Sequence, residues 1–130
     1  MTTIHVCYDG GRKAFGIDER DDCAVRALAN ACAIPYATAH GRFLLLGRKN
    51  GRGTKISIMK NAIRSEIGVV QNVARSGTLE KFMRHNSSGA YIVWVSGHYT
   101  AVVDGRLWDN AHDPFAWLAL KCVRAAWRVR

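Results

Sequence analysis

Long hydrophobic runs are missing from this 130-residue chain: no apolar stretch approaches the roughly 18 residues a membrane-crossing helix requires, so no membrane span is expected. The opening residues, Met1-Thr2-Thr3-Ile4-His5-Val6-Cys7, hold neither the basic nor the apolar segment of a secretory signal, and a cytoplasmic location is the expectation. Negative charge is scarce. Ten Asp and Glu stand against 19 Lys and Arg, and the formal charge of +9 favours nucleic acid, an anionic surface or an acidic protein as partner without choosing among them. Cysteines are few as well, at 7, 23, 32 and 122, with no Cys-x-x-Cys pair and no zinc-like cluster, and a reducing compartment would leave them as thiols. His5, His40, His85 and His112 stand in no ligand spacing, so neither a metal nor a cofactor is expected. Internal repeats and low-complexity tracts are absent. What remains is 48% hydrophobic and 22% charged, an ordinary globular composition at a length that suits one domain over residues 1–130.

Within that background, the run Arg20-Asp21-Asp22-Cys23-Ala24-Val25-Arg26-Ala27-Leu28-Ala29-Asn30 is the most informative. Asp21 and Asp22 are good N-cap residues, and the apolar, helix-favouring run that begins at Cys23 predicts a helix with the cysteine in its first turn. A thiol at the positive end of a helix dipole is biased toward thiolate, below its free value of about 8.5. A small buried cysteine that happens to open a helix is the plainer alternative.

In chain order, a short strand is predicted over residues 3–8, then a turn-rich stretch from Asp9 to Lys13. Pro35 ends the Cys23 helix and opens another over residues 36–46, in which Phe43, Leu44, Leu45 and Leu46 are expected to be mostly buried. The loop that follows carries Gly47, Gly51 and Gly53 among Arg48, Lys49, Arg52 and Lys55. It reads either as a solvated, flexible connection or as a basic lip that binds substrate or an anion, and it lacks the Gly-Lys-Ser/Thr spacing of a phosphate loop. Helices are predicted over 57–67, stopped by Gly68, and over 79–85, started by Thr78. The texture then changes to β-branched and aromatic residues at 91–95, 98–103 and 106–108, separated by Ser96-Gly97 and Asp104-Gly105. A turn follows at Asp113-Pro114, residues 115–120 are ambiguous, and 121–130 read as a closing strand. Helices first and antiparallel sheet afterwards make an α+β layout.

The second hairpin fixes a register. If Asp104 and Gly105 form a two-residue turn, Val103 pairs with Arg106, Thr100 with Asp109 and His98 with Ala111, and His98 and Asp109 become diagonal neighbours on one face, about 7 Å apart at the backbone. Asp109 then orients His98. A three-residue loop would substitute Asn110. Alternatively, His98 is a core histidine satisfied by a sheet carbonyl and Asp109 a strand-end cap.

A cysteine opening an early helix, with a histidine and then a carboxylate on later strands, is the order of parts in papain-like cysteine peptidases. The chain resembles that superfamily, and more closely small phage and prophage proteins of the same sort. The similarity rests on Asp22-Cys23-Ala24-Val25-Arg26-Ala27-Leu28-Ala29, Ile34-Pro35-Tyr36, Gly47-Arg48-Lys49-Asn50-Gly51-Arg52-Gly53-Thr54 and Gly97-His98-Tyr99-Thr100-Ala101-Val102-Val103-Asp104-Gly105. It implies a papain-like fold, Cys23 as nucleophile, His98 as base, Asp109 as third member, a protein or peptide substrate such as a host protein, and action in the host cytoplasm. One feature departs from the family. Its enzymes place a glutamine several residues before the cysteine to complete the oxyanion hole, whereas Gly16-Ile17-Asp18-Glu19-Arg20 has none, and Asp18 or Glu19 would repel an oxyanion. Two functions follow as expectations: a thiol hydrolase of peptide or isopeptide bonds, deubiquitinase-like activity included, or a non-hydrolytic module that binds a host protein or nucleic acid through Arg48, Lys49, Arg52, Lys55 and the basic residues Arg124, Arg128 and Arg130.

Overall fold

The computed structural model describes residues 5–7, 9–16, 19, 21–74, 76–109 and 118–130. Asp18, Arg20, Asn110, Ala111, His112 and the Asp113-Pro114 turn, all named above, lie outside them. The elements run β1 (His5–Cys7), α1 (Arg12–Phe15), α2 (Cys23–Cys32), α3 (Tyr36–Leu45), α4 (Ile56–Ile67), α5 (Leu79–His85), β2 (Ala90–Val95), β3 (His98–Val103), β4 (Arg106–Asp109) and β5 (Ala125–Arg128). Among the described residues, no helix is long and apolar enough to cross a membrane.

The architecture is α+β. The sheet has the order β1-β4-β3-β2-β5, with β2 to β5 antiparallel and β1 parallel to β4. The antiparallel core follows from short turns, since adjacent strands joined by two residues can only run antiparallel. The parallel edge was not foreseen: it joins Cys7 to Asp109 across most of the chain, and nothing local encodes so distant a pairing.

Helices cover both faces of the sheet. On one side α2, α3 and α4 supply Val25, Leu28, Phe43, Met59 and Ile63 against Ile92, Ala101 and Trp127. On the other, α5 supplies Leu79, Phe82 and Met83 against Val93, Val95, Val102 and Leu107. This explains why β2 reads Ala-Tyr-Ile-Val-Trp-Val with almost every residue buried, rather than alternating apolar with polar.

Several local signals act as expected. Thr78 caps α5 by accepting the Lys81 N–H at 3.3 Å. Gly68 closes α4 in the left-handed conformation at φ 82°, donating to the Arg64 carbonyl at 2.8 Å. Two differ. Arg12 and Lys13, expected in a turn-rich stretch, instead open the helical turn of residues 12–15. The run Phe43-Leu44-Leu45-Leu46 is not mostly buried: Phe43 is enclosed, whereas Leu44 is 42% and Leu45 91% exposed. Successive helical residues are rotated by about 100°, so consecutive leucines cannot all face one core.

Candidate functional site

Asp104 (φ 51°) and Gly105 (φ 76°) are both left-handed, the signature of a two-residue type I′ turn, and the observed pairs are Val103–Arg106, Val102–Leu107 and Ala101–Trp108. That register puts His98 at the start of β3 and Asp109 at the end of β4, on the same rim of the sheet. Their side chains meet: His98 Nε2 lies 2.7 Å from Asp109 Oδ2. Thr100 donates to the same oxygen at 2.8 Å. Asp109 is 2% exposed, so this carboxylate is directed inward by its partners rather than solvated at a strand end.

The first turn of α2 arrives at this rim. The Cys23 sulfur is hydrogen-bonded to the His98 ring and to the Tyr99 backbone N–H. Burial pushes the thiol up. The hydrogen bond and positive charge of His98, the Tyr99 amide and the Arg26 guanidinium outweigh it, and the net direction is downward. For His98, burial disfavours the charged ring, but hydrogen bonds to Asp109 and Cys23 and their negative charges hold it up at about 9. Asp109 is also penalised by burial, yet His98, Thr100 and Arg26 hold it down at about 2. All three shifts favour a thiolate–imidazolium pair backed by a carboxylate. Cys32, by contrast, is a half-buried thiol pushed up to about 11 by burial.

Asp22 stands at the N-cap position as expected, yet caps nothing. Its carboxylate instead accepts from Arg26 Nε at 3.0 Å, Arg12 at 3.2 Å and the Tyr36 hydroxyl at 2.9 Å. Among the described residues, therefore, no side-chain cap takes up the first-turn amides of α2, Cys23 among them. Arg26 also reaches Asp109 Oδ1 at 3.1 Å, so one buried guanidinium ties the residue before Cys23 to the carboxylate behind His98. The only sequence signal for it was the Asp22/Arg26 spacing of four on a helix. Thr100 was already placed opposite Asp109 by the hairpin register, whereas the Tyr99 amide had no sequence signal.

Glu19 does not face the thiol. Its side chain is fully enclosed, with Oε2 2.9 Å from His40 Nε2 and 3.1 Å from Arg48, while Oε1 accepts the Gly51 N–H. The feared repulsion of an oxyanion by Glu19 is thus removed by pairing. The same contact changes the reading of the basic loop. Arg48 is 3% exposed and points inward to Glu19, so it cannot serve as an outward substrate or anion contact. Lys49, Arg52 and Lys55 are exposed. Nor is the loop a loose connection, since its backbone is fastened at Gly51 and again at Thr54, whose carbonyl accepts the Tyr99 hydroxyl at 3.2 Å.

A cleft of about 470 Å³ opens over the sulfur, walled by Cys23 and His98, by Gly53 and Thr54 of the basic loop, and by Trp94 and Tyr99 of the sheet. Trp94 and Tyr99 stack at 6.2 Å, and the Arg124 guanidinium lies 5.9 Å above the Trp94 ring. A hollow of similar size beside α5, lined by Gly77, Lys81, Phe82 and His85, contains none of these groups. Compared with models of known families, with curated proteins and with solved structures, the chain matches none of them.

Proposed function

We propose that this chain is a papain-like, cysteine-dependent hydrolase that cuts a peptide or isopeptide bond. The observation that carries the reading is the unbroken hydrogen-bonded line from the Cys23 sulfur through the His98 ring to the Asp109 carboxylate, at the mouth of a cleft. In the reaction, the Cys23 thiolate attacks the carbonyl carbon and the carbonyl oxygen takes up the negative charge, facing the uncapped amides at the start of α2. His98 passes its proton to the departing amine as the C–N bond breaks, leaving a thioester. A water molecule then loses a proton to His98 and attacks the thioester. The acid leaves, and the thiolate–imidazolium pair is restored. Asp109 keeps the ring in one orientation throughout and stabilises its charged form. Deamidation and acyl transfer would share the thioester and differ only in the leaving or entering group.

The test is selective alkylation at about pH 6, where an ordinary thiol is less than about 1% ionised. Iodoacetamide is expected to modify Cys23 well ahead of exposed Cys122 and raised, half-buried Cys32, and His98→Ala should erase the advantage. Equal labelling of these three cysteines in the native protein would refute the proposal.

A further inference from the structure

The exposed cations of the glycine-rich loop border the proposed catalytic cleft. Lys49, Arg52 and Lys55 line a hollow of about 470 Å³ together with Gly47, Gly53, Ile58 and Arg48, whose side chain is turned inward to Glu19. Gly53 is also a wall of the cleft that holds Cys23 and His98. The two hollows therefore meet at Gly53, where a Cβ would touch nothing within 4 Å. Packing does not demand glycine here. Its effect is to leave the junction clear of side chain.

Among the described residues, neither Lys49, Arg52 nor Lys55 forms an ion pair with a carboxylate. They differ in this from Arg48, whose charge is matched by Glu19. Asp21 borders the cleft and not the basic hollow, and Glu19 beneath the loop is taken up by Arg48, His40 and the Gly51 N–H. Because the loop is held by the Arg48 side chain and by its backbone at Gly51 and Thr54, the three cations are presented from a fixed base, which reduces the ordering cost of binding. Arg124, over the Trp94 ring that walls the cleft, adds the same sign.

We propose, resting on the hydrolase reading, that the Gly53 junction joins the cleft to an anion-binding subsite, and that the substrate is a polypeptide with acidic side chains next to the bond that is cut. Nucleic acid fits less well. Among the described residues, the basic hollow is lined by no aromatic ring that could stack on bases, and the Cys23 chemistry acts on acyl carbon, not on phosphodiesters.

The experiment uses the full chain and three short peptides with a central dehydroalanine, whose β-carbon adds a thiolate while its α-carbon takes up a proton from solvent. The residues on both sides are Glu, Ala or Lys, and covalent capture by Cys23 is timed by intact mass beside capture by iodoacetamide. At low salt the Glu peptide should react about tenfold faster than the Ala peptide, as expected for two or three solvent-exposed charge pairs, and the Lys peptide should be slowest. The Glu advantage should shrink as salt is raised. In the triple variant Lys49→Ala, Arg52→Ala, Lys55→Ala, the Glu-to-iodoacetamide rate ratio should fall by a similar factor. Equal rates for the Glu and Ala peptides, with selective iodoacetamide labelling intact, would overturn the subsite and leave the hydrolase standing. A Glu preference that survives the triple variant would overturn it too. So would a short single-stranded oligonucleotide that blocks capture in the native protein but not in the variant, which would assign the hollow to nucleic acid. Loss of selective iodoacetamide labelling in the native protein would sink the hydrolase reading itself.

Discussion

Replacing Asp109 with Asn removes one charge and one acceptor from behind His98 while keeping the shape of the side chain. In the native site the ring stands at about 9 against an ordinary 6.5, although burial by itself would place it lower. At 1.36 kcal/mol per pH unit, the net preference of this site for the charged ring is ~3 kcal/mol. Asp109 supplies its part through a 2.7 Å hydrogen bond, and Cys23 supplies the remainder. With Asn at 109, burial is opposed by Cys23 alone, and the ring should titrate more than about one pH unit lower. The thiol then loses its fixed imidazolium, so alkylation of Cys23 at about pH 6 should slow by about tenfold or more. NMR titration of the His98 ring and the rate of iodoacetamide capture read the two effects. Stability should follow with definite signs. Asp109, held down at about 2 against 3.8, contributes in full above pH 3.8 and loses that contribution as pH falls through about 2. His98, raised to about 9, contributes in full below pH 6.5 and loses that contribution as pH rises through about 9. Urea midpoints of the native protein should therefore be highest between pH 3.8 and 6.5, and the Asn variant should lose most of the alkaline decline. A variant whose ring still titrates near 9, with Cys23 reacting at the native rate, would refute the role given to Asp109.

Two further variants test what surrounds the site. Arg26→Met leaves the buried Asp22 and Asp109 carboxylates without their shared cation and should destabilise by ~3 kcal/mol in urea unfolding; a loss under ~0.5 kcal/mol would mean the bridge is dispensable. Arg48→Met takes the guanidinium from Glu19, whose side chain is fully enclosed, and leaves it only His40 and the Gly51 N–H; it should cost ~3 kcal/mol while exposing residues 49–53 to limited proteolysis. Adding Glu19→Gln should recover part of that loss, whereas strictly additive effects would deny the coupling.

Much of the site was legible because its parts are specified locally. Helix propensity puts Cys23 in a first turn, and the Asp104-Gly105 turn sets the pairing of β3 with β4, which fixes which residue on one strand stands beside His98 on the other. The rest depended on what lies across space. Asp22 looks like a helix cap in isolation, and only the arrival of Arg12, Arg26 and Tyr36 converts it into an ion-pair hub. Arg48 is indistinguishable in sequence from its basic neighbours, and a buried carboxylate 29 residues earlier draws it inward.

The sequence by itself determined the α+β succession, the helix that presents Cys23 and the hairpin that makes His98 and Asp109 diagonal neighbours, because backbone propensity and turn chemistry act over a few residues. Only the tertiary structure decided that the start of α2 meets that rim of the sheet, that β1 joins it in parallel, and which cations of the glycine-rich loop stay exposed. Those outcomes depend on burying charge only where an opposite charge waits, a condition met by residues far apart along the chain.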